Sequence, residues 1–362
     1  MFSQAFLGIR RFFEIADFYN CLFLTVDRKN NVLIPIDKRR QIKTYFWIAF
    51  HAFHLLCQMI SIKTKSSDLV LTVGGMTLSG AYLLACLWLV DIKQDSTPGQ
   101  LMNYIAARED KNIPGKVMIS TCLAILVHLI YLACWLVPIS VATLSLLWPC
   151  FPSLLSSLLC STESRGWTGL WLLIQVALAI VEFVGYQTVS VSAAHYGIST
   201  TGTGIASLWL YCKELEITEH AKKLRSYRNL KILEKIVNAC IRNRIFLAIA
   251  LGGPLVQVLV GYTIIQIANS PNVTILAGSS VIYVSIFATT MFYFSIAAQV
   301  YRMSKDWIKR QLRVLQKKEG RRLQSLMSIR IEFGNNFVET LTPLVVQGFC
   351  INETVSLLLL NK

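Results

Sequence analysis

The sequence predicts an all-α membrane protein, a seven-transmembrane helical bundle with its N-terminus inside, its C-terminus outside and a helical cytoplasmic collar. Three observations lead to this fold class. Of the 362 residues, 54% are hydrophobic and 15% are charged, whereas roughly 25% of residues are charged in a soluble domain. Mean hydropathy is +0.53, and the apolar runs reach the roughly 20 residues that a helix needs to cross a bilayer. The Lys and Arg residues are divided very unequally between the two predicted sides.

Seven apolar stretches predict the transmembrane spans, and one seven-helix domain covers residues 1–362. None of the stretches contains Lys or Arg, and each must be helical because lipid offers no partner to backbone N–H and C=O groups. The predicted spans are 44–62, 69–90, 117–137, 167–195, 245–267, 276–300 and 335–360.

The basic residues predict the orientation. Residues 1–43 and the three loops on the same side carry 31 of the 35 Lys and Arg residues, and the other side carries four. Cytoplasmic loops carry the excess of positive charge in membrane proteins. The net charge of +15 is therefore a membrane signal, and no nucleic acid is expected as a partner.

The cytoplasmic segments are predicted to be helical. Apolar residues at near-helical spacing within 1–43 predict an amphipathic helix on the inner membrane face. The loops 211–244 and 301–334 each carry an apolar stripe, including Leu230 and Trp307. Such stripes are usually buried, so we expect these loops to pack on each other or on neighbouring subunits.

One apolar stretch, 138–160, does not fit a span, because an eighth crossing would put the most basic loops outside. We expect it on the outer face, either as an extension of the third helix or as a re-entrant cap. Cys150 and Cys160 lie in this outer region, and the sequence leaves open whether they are bonded. The sequon at Asn272 lies in another outer loop, which makes it a glycosylation candidate.

The chain shows no catalytic constellation, so we expect neither an enzyme nor a cofactor. His51 and His54 lie three residues apart, but no carboxylate or cysteine is near them in the sequence. They are therefore interpreted as core histidines, and no metal is expected. Glu182 lies in the middle of the fourth span, where an ionisable group is expensive. It is interpreted as an interhelical contact rather than as part of an ion or ligand path.

The seventh span is too polar to face lipid on all sides, since it contains Asn, Gln, Glu and Thr residues along its length. Lining water satisfies such groups most simply. Its last turns, 355–360, are almost wholly apolar, and hydrophobic constrictions can gate pores by excluding water.

These features resemble the arthropod gustatory and odorant receptor superfamily. That family has seven spans, an inside N-terminus, a long loop before the last helix and a short final motif of Thr-Tyr, five hydrophobic residues and Gln-Phe. Here the end reads Thr354-Val355-Ser356-Leu357-Leu358-Leu359-Leu360-Asn361-Lys362. Thr354 and a side-chain amide are in register, whereas Val355 replaces the Tyr and Lys362 the Phe. The chain thus looks like a divergent gustatory-receptor-like member.

The resemblance implies a chemosensory receptor in the plasma membrane that acts as a ligand-gated, non-selective cation channel. It implies a homo- or hetero-tetramer assembled through the cytoplasmic helices, with a pore lined by the seventh helix. Carried over to this chain, Thr354 and Val355 begin the pore-facing segment, Leu358 holds the gate and Asn361 the polar ring beside it. A small organic ligand, tastant or odorant, is expected in the outer half of the bundle. Residues available there are Tyr131, Trp135, Trp171, Gln175, Tyr262, Gln266 and Tyr283.

Two other classes of multi-pass membrane protein compete with this interpretation. A G-protein-coupled receptor has the opposite orientation, and the chain lacks N-P-x-x-Y and D-R-Y motifs. A transporter would favour inverted repeats and broken helices, of which Gly252-Gly253-Pro254 is the one candidate break.

Overall fold

The computed structural model describes residues 2–27, 29–30, 32–65, 69–89, 95–107, 116–160, 169–217, 220–245, 250–268, 273–314, 325–334 and 336–360. The helices are α1 (Phe2–Tyr19), α2 (Lys38–Lys65), α3 (Leu69–Leu89), α4 (Thr97–Ala107), α5 (Lys116–Leu147), α6 (Leu155–Leu159), α7 (Gly169–Ala194), α8 (Thr203–Ile217), α9 (His220–Ile245), α10 (Gly253–Ile267), α11 (Val273–Val314) and α12 (Thr342–Leu360). A π-helical segment, His195–Gly202, joins α7 to α8.

The predicted all-α class is confirmed, since the strands among the described residues are only two to four residues long. The strands are β1 (Leu24–Asp27), β2 (Val32–Pro35), β3 (Glu332–Phe333) and β4 (Asn336–Phe337). They form two antiparallel hairpins, in which Leu24 pairs with Pro35 and Glu332 with Phe337.

In the described part of the chain, seven helices are long and apolar enough to cross a membrane. They cover Lys38–Lys65, Leu71–Leu89, Ala124–Leu147, Gly169–Ile217, Ala250–Ile267, Leu276–Arg313 and Thr342–Leu360. The chain is thus a multi-pass membrane protein with seven candidate spans. Several of these helices are longer than the predicted spans, because they continue past the apolar stretch into polar sequence.

The polar residues of α2 are buried and its apolar residues are exposed. Its buried face carries Thr44, His51, His54, Gln58 and Ser61, all no more than 1% exposed. Its exposed side carries Phe46, Phe53, Leu56, Met59 and Ile60. The buried positions recur every three to seven residues, which places them on one side of a helix with 3.6 residues per turn. This arrangement is the reverse of a soluble helix and is typical of one surrounded by lipid.

At one end of the bundle, which we call the hairpin end, the two loops with apolar stripes pack together within one chain. Leu230 and Leu233 of α9 are 1% and 0% exposed. The Tyr227 ring stacks on the indole of Trp307 with their centroids 4.9 Å apart. Helix α1 and the first hairpin join the same core. The stripe residues Leu315 and Leu323 lie outside the described residues.

At the other end, which we call the disulfide end, α5 continues through Pro138 to Leu147. The chain then turns back as a re-entrant segment, residues 148–160, which includes α6 and is closed by a disulfide between Cys150 and Cys160. Both expectations for 138–160, a helix extension and a re-entrant cap, describe part of this stretch. A Cβ on Gly75 would lie 3.1 Å from the Pro152 carbonyl oxygen, so glycine permits α3 to approach the segment closely.

The last helix begins at Thr342, not at residue 335 as the predicted span 335–360 had it. Residues 336–337 belong to β4, and Gly334 has a positive φ of 58°. Pro343 follows at a position where its missing N–H would be unsatisfied in any case. Glu339, which was placed on the seventh helix, therefore lies before it, and its N–H donates to Thr342 Oγ1 at 2.9 Å.

Candidate functional site

Helix α12 is the least buried of the seven candidate spans. Only 11% of its most apolar window is buried, against 61% for α10. Asn352, Glu353 and Ser356 are exposed in the middle of this helix. We call the side that carries Asn352, Val355, Ser356 and Leu359 the open face. An exposed amide, carboxyl or hydroxyl is costly in hydrocarbon, so the open face requires water or another subunit.

The opposite side of α12, the packed face, belongs to a polar junction with α10 and α11. Gln257 Nε2 donates to Gln347 Oε1 at 2.7 Å, and Gln347 Nε2 donates to Thr290 Oγ1 at 3.2 Å. All three residues are at most 8% exposed. Gln257 Nε2 also lies 3.4 Å from the Tyr283 hydroxyl. These hydrogen bonds fix α12 to the rest of the bundle inside the membrane-spanning region.

The predicted pore residues are divided between these two faces. Val355 is 48% exposed on the open face. Thr354 is half-buried on the packed face, with its hydroxyl 3.4 Å from where a Cβ on Gly261 would lie. Leu358 is also half-buried, and it lies one turn beyond Thr354 on nearly the same side. Asn361 lies outside the described residues, as does the sequon residue Asn272.

The predicted ligand residues lie on four helices, α5, α7, α10 and α11. Tyr131 lies midway along α5 against α1, with its ring 5.7 Å from that of Phe12. Trp135, one turn further along α5, is half-buried. Tyr283 of α11 lies in the polar junction of α12, and its ring is 3.3 Å from where a Cβ on Gly261 would lie.

The remaining predicted ligand residues lie on α7 and α10. Trp171 is half-buried near the disulfide end of α7. Gln175 is 6% exposed, and its Nε2 donates to the Leu146 carbonyl oxygen at 2.7 Å, at the end of α5. On α10, Tyr262 is buried and Gln266 is exposed. The amide nitrogen of Gln175 therefore already has a partner in the fold.

Sequence reasoning missed a buried cluster in which His51, His54, Tyr82 and Glu182 meet. His54 Nε2 lies 3.1 Å from Glu182 Oε2, and both side chains are 0% exposed. The sequence marks Glu182 as unusual in a span, but 128 positions separate His54 from Glu182, so their contact has no local signal. Among the described residues, no group of three or more His, Cys, Asp or Glu side chains is arranged to hold a metal ion.

Between α3, α10 and α11 lies a half-open pocket of about 180 Å³, which is large enough to hold several water molecules. Its lining consists of Leu84, Trp88, Gly253, Ser285, Ile286, Thr289 and Thr290. None of these was predicted as a ligand residue. Thr290 connects the pocket wall to Gln347 of α12.

Seven long apolar helices among the described residues, a buried polar interior and one partly unburied polar helix define a multi-pass membrane bundle. No known protein-family model matches the chain, and no curated protein matches its sequence. Its fold is similar to that of the insect olfactory receptor OR5 from Machilis hrabei in complex with eugenol, with a TM-score of 0.61, 15% identity and 97% of each chain covered. A second structure of OR5 gives a TM-score of 0.59 at the same identity and coverage. The chain thus has the insect olfactory receptor fold, which confirms the fold that the sequence resemblance implies.

Proposed function

We propose that the protein is a chemosensory receptor of the insect odorant and gustatory receptor superfamily and acts as a ligand-gated cation channel. The observation that carries this proposal is the open face of α12. Asn352, Glu353 and Ser356 are exposed in the middle of a candidate span. In a tetramer with α12 of each subunit at the axis, these groups would line water. The protein is thus proposed to be a receptor and channel, not an enzyme.

We place the disulfide end outside the cell. Disulfides persist in oxidising compartments, and the bond between Cys150 and Cys160 lies at this end. The excess of basic residues belongs to the opposite end, in agreement with the positive-inside rule. The C-terminal end of α12 is then the outer end, and plasma membrane is the proposed location.

A small organic ligand is the proposed stimulus, by analogy with OR5, whose structure contains eugenol. The predicted site in the outer half of the bundle is kept as part of the proposal. Trp135, Trp171, Tyr262 and Gln266 are the predicted residues that it retains. Aromatic walls with a few polar groups suit such ligands. A signal from this half would reach α12 through the Gln257–Gln347–Thr290 hydrogen bonds.

The pore is tested by a matched pair of cysteine variants, Leu358→Cys and Leu359→Cys. Leu359 is 63% exposed on the open face, whereas Leu358 is half-buried on the packed face. The described free cysteines are all buried, which keeps background labelling low. In cells that carry ligand-evoked current, a water-soluble thiol reagent should block Leu359→Cys and leave Leu358→Cys unaffected.

The reverse result, block of Leu358→Cys alone, would support the pore register that the sequence resemblance implies. It would also mean that α12 rotates in the assembled channel. Labelling of neither variant, nor of Asn352→Cys and Val355→Cys, in open or closed channels would sink the proposal that α12 lines the pore.

A further inference from the structure

A continuous chain of polar side chains crosses the interior of the bundle from α2 through α3 to α7. His51 Nδ1 lies 2.6 Å from the Tyr82 hydroxyl, and His54 Nδ1 lies 2.9 Å from the same hydroxyl. His54 Nε2 then lies 3.1 Å from Glu182 Oε2. At the far end, His51 Nε2 lies 3.3 Å from Thr188 Oγ1. None of the four ionisable side chains is more than 2% exposed.

The contacts in this series of side chains run in one direction from donor to acceptor, because the Tyr82 hydroxyl carries one proton and faces two ring nitrogens. One imidazole must donate to the phenol oxygen through Nδ1–H, and the other must accept from it. With Glu182 ionised, His54 donates from Nε2 to the carboxylate and accepts from Tyr82 at Nδ1. Tyr82 then accepts from His51 Nδ1–H. Every one of these contacts then joins a donor to an acceptor that lies no more than 3.1 Å away.

Adding one proton reverses the donor-to-acceptor direction of all these contacts without breaking any of them. A protonated Glu182 donates to His54 Nε2, and His54 donates from Nδ1 to Tyr82. Tyr82 in turn donates to His51 Nδ1, which leaves the His51 Nε2–H directed at Thr188. The two satisfied states differ by one proton on the carboxyl group and by a change of tautomer at both histidines.

We propose that Glu182, His54, Tyr82 and His51 form a proton-binding site, which we call the relay, and that the bound proton resides on Glu182. The loaded relay is electrically neutral, and a neutral group is far less expensive than a charge inside a membrane protein. The proposal holds whether or not α12 lines a pore.

The other titratable groups around the relay do not compete for this proton. Cys57 lies on α2, Cys86 on α3 and Tyr186 one turn from Glu182 on α7. The short helix α6 carries only Leu and Ser residues. Thiols and phenols ordinarily ionise above about pH 8, so these three side chains are already protonated and are not expected to take up another proton near neutral pH.

The proton on the relay also controls the re-entrant segment. The second carboxyl oxygen of Glu182 accepts a hydrogen bond from the Leu155 N–H at 2.6 Å. Above it, Ser61 contacts Ser157, and its Oγ accepts from the Ser153 N–H at 3.4 Å. A bond to an ionised acceptor is about twice as strong as one to a neutral acceptor. Loading the proton therefore loosens residues 148–160, and removing it tightens them.

Infrared difference spectroscopy on the purified full-length protein between about pH 9 and about pH 5 tests the proton site. The wild type should gain the C=O stretch of a buried carboxylic acid as the pH falls. All samples carry Glu234→Gln, because Glu234 is also a buried carboxyl group, and Glu182→Gln in that background should lack this band. Glu353→Gln, which removes an exposed carboxyl group on α12, should keep it. Absence of the band from the Glu234→Gln background, or its persistence in Glu182→Gln, would overturn the proposal.

Hydrogen exchange at the Leu155 amide tests the link to the segment. After correction for the intrinsic pH dependence, exchange in the wild type should be about fivefold faster at low than at high pH, the ratio expected between charged and neutral acceptors. Glu182→Gln should show the fast rate at both pH values, while amides in α9 keep their protection and so report an intact fold. Equal protection of Leu155 at both pH values in the wild type would contradict control of the segment by the relay.

Discussion

Helices α2 and α12 carry similar polar residues through the membrane but present them to opposite sides. On α2, His51, His54 and Gln58 are buried against the same subunit, while Phe46 and Phe53 are exposed. On α12, Asn352 and Ser356 are exposed, and the Ser356 hydroxyl donates only to the Asn352 carbonyl oxygen of its own helix. The polar side chains of α2 therefore pack against other helices of the same chain, whereas those of the open face do not.

This difference separates polar side chains that pack inside one chain from polar side chains that face outward in the same membrane protein. A polar side chain in hydrocarbon must have a hydrogen-bond partner or reach water. For α2 the partners are visible as Tyr82, Tyr186 and Thr188. For the open face of α12, water or another subunit has to supply them. In the proposed tetramer, α12 would therefore be the element whose environment changes most on assembly.

The largest effect is expected from His54→Leu on α2. The change removes the partner of Glu182 and one of the two nitrogens that face Tyr82. Removing one member of a buried pair leaves a charge without compensation and is expected to lower the stability by about 3–5 kcal/mol. Thermal unfolding of the purified protein measures this loss.

The control for this variant is His128→Leu on α5, because the His128 side chain is exposed. It should change the unfolding midpoint little. If both substitutions lowered the stability equally, the contacts of the buried polar face of α2 would not contribute to the stability. The contrast with α12 would then fail.

An intermediate effect is expected at the packed face of α12, where Gln347→Leu leaves Gln257 and Thr290 without their amide partner. An unsatisfied buried polar group costs about 1–3 kcal/mol. The double variant Gln257→Leu/Gln347→Leu removes both amides and should regain part of that loss. Unfolding midpoints of the two variants and the wild type provide the measurement.

The two amides would not be coupled if the second substitution, Gln257→Leu, lowered the stability of Gln347→Leu further, as an independent substitution would. In that case the packed face would not resemble α2. Ligand-evoked currents of the same variants would show whether the junction also affects opening of the proposed channel.

The sequence predicts the number of long helices well, because each apolar stretch is a local signal of sufficient length. It does not predict where α12 begins, since the polar run before Pro343 fits a pore-lining helix as well as a strand and turn. The sequence also does not indicate that the residues of the cluster around Glu182 lie together. The sequence predicts His54 as a core histidine and Glu182 as an interhelical contact, without a common partner. Tyr82, which joins them, is an ordinary residue in its own helix.

The division of α12 into two faces is also beyond the sequence. Thr354 and Leu358 match the family pattern, but a motif does not say which side of a helix packs on its own subunit. The contacts of Gly261 and Gln257 settle that for the single chain. These are long-range contacts between three helices, and local sequence carries no information about their rotation.

The smallest effect is expected at a buried carboxyl group outside the candidate spans. It extends the comparison to a buried polar group that is not on a membrane-spanning helix. Glu234 of α9 is 5% exposed. Its Oε1 accepts from the Arg330 N–H at 2.6 Å, and Lys231 pairs with its other oxygen. Burial nevertheless raises the pKa of Glu234 above its ordinary value, and the hydrogen bonds from Lys231 and from Arg330 offset only part of that effect.

The sign of the pH dependence follows from this raised pKa. A carboxyl group with a higher pKa in the folded than in the unfolded state contributes most to stability below the unfolded pKa. That contribution is lost as the pH rises through the folded pKa. At neutral pH the wild type therefore bears the penalty of a buried charge, which Glu234→Gln removes while keeping an oxygen acceptor for the Arg330 N–H.

Glu234→Gln should consequently raise the unfolding midpoint slightly at neutral pH, by no more than about 1 kcal/mol in stability. The gain should vanish below about pH 4, where the wild-type carboxyl is protonated in both states. Glu14→Gln on the exposed part of α1 serves as the control and should show no such pH-dependent gain. A lower midpoint for Glu234→Gln at neutral pH would mean that the ion pair with Lys231 outweighs burial. The partner of the buried carboxyl group would then outweigh its burial at the hairpin end, as is expected for the His54–Glu182 pair inside the membrane.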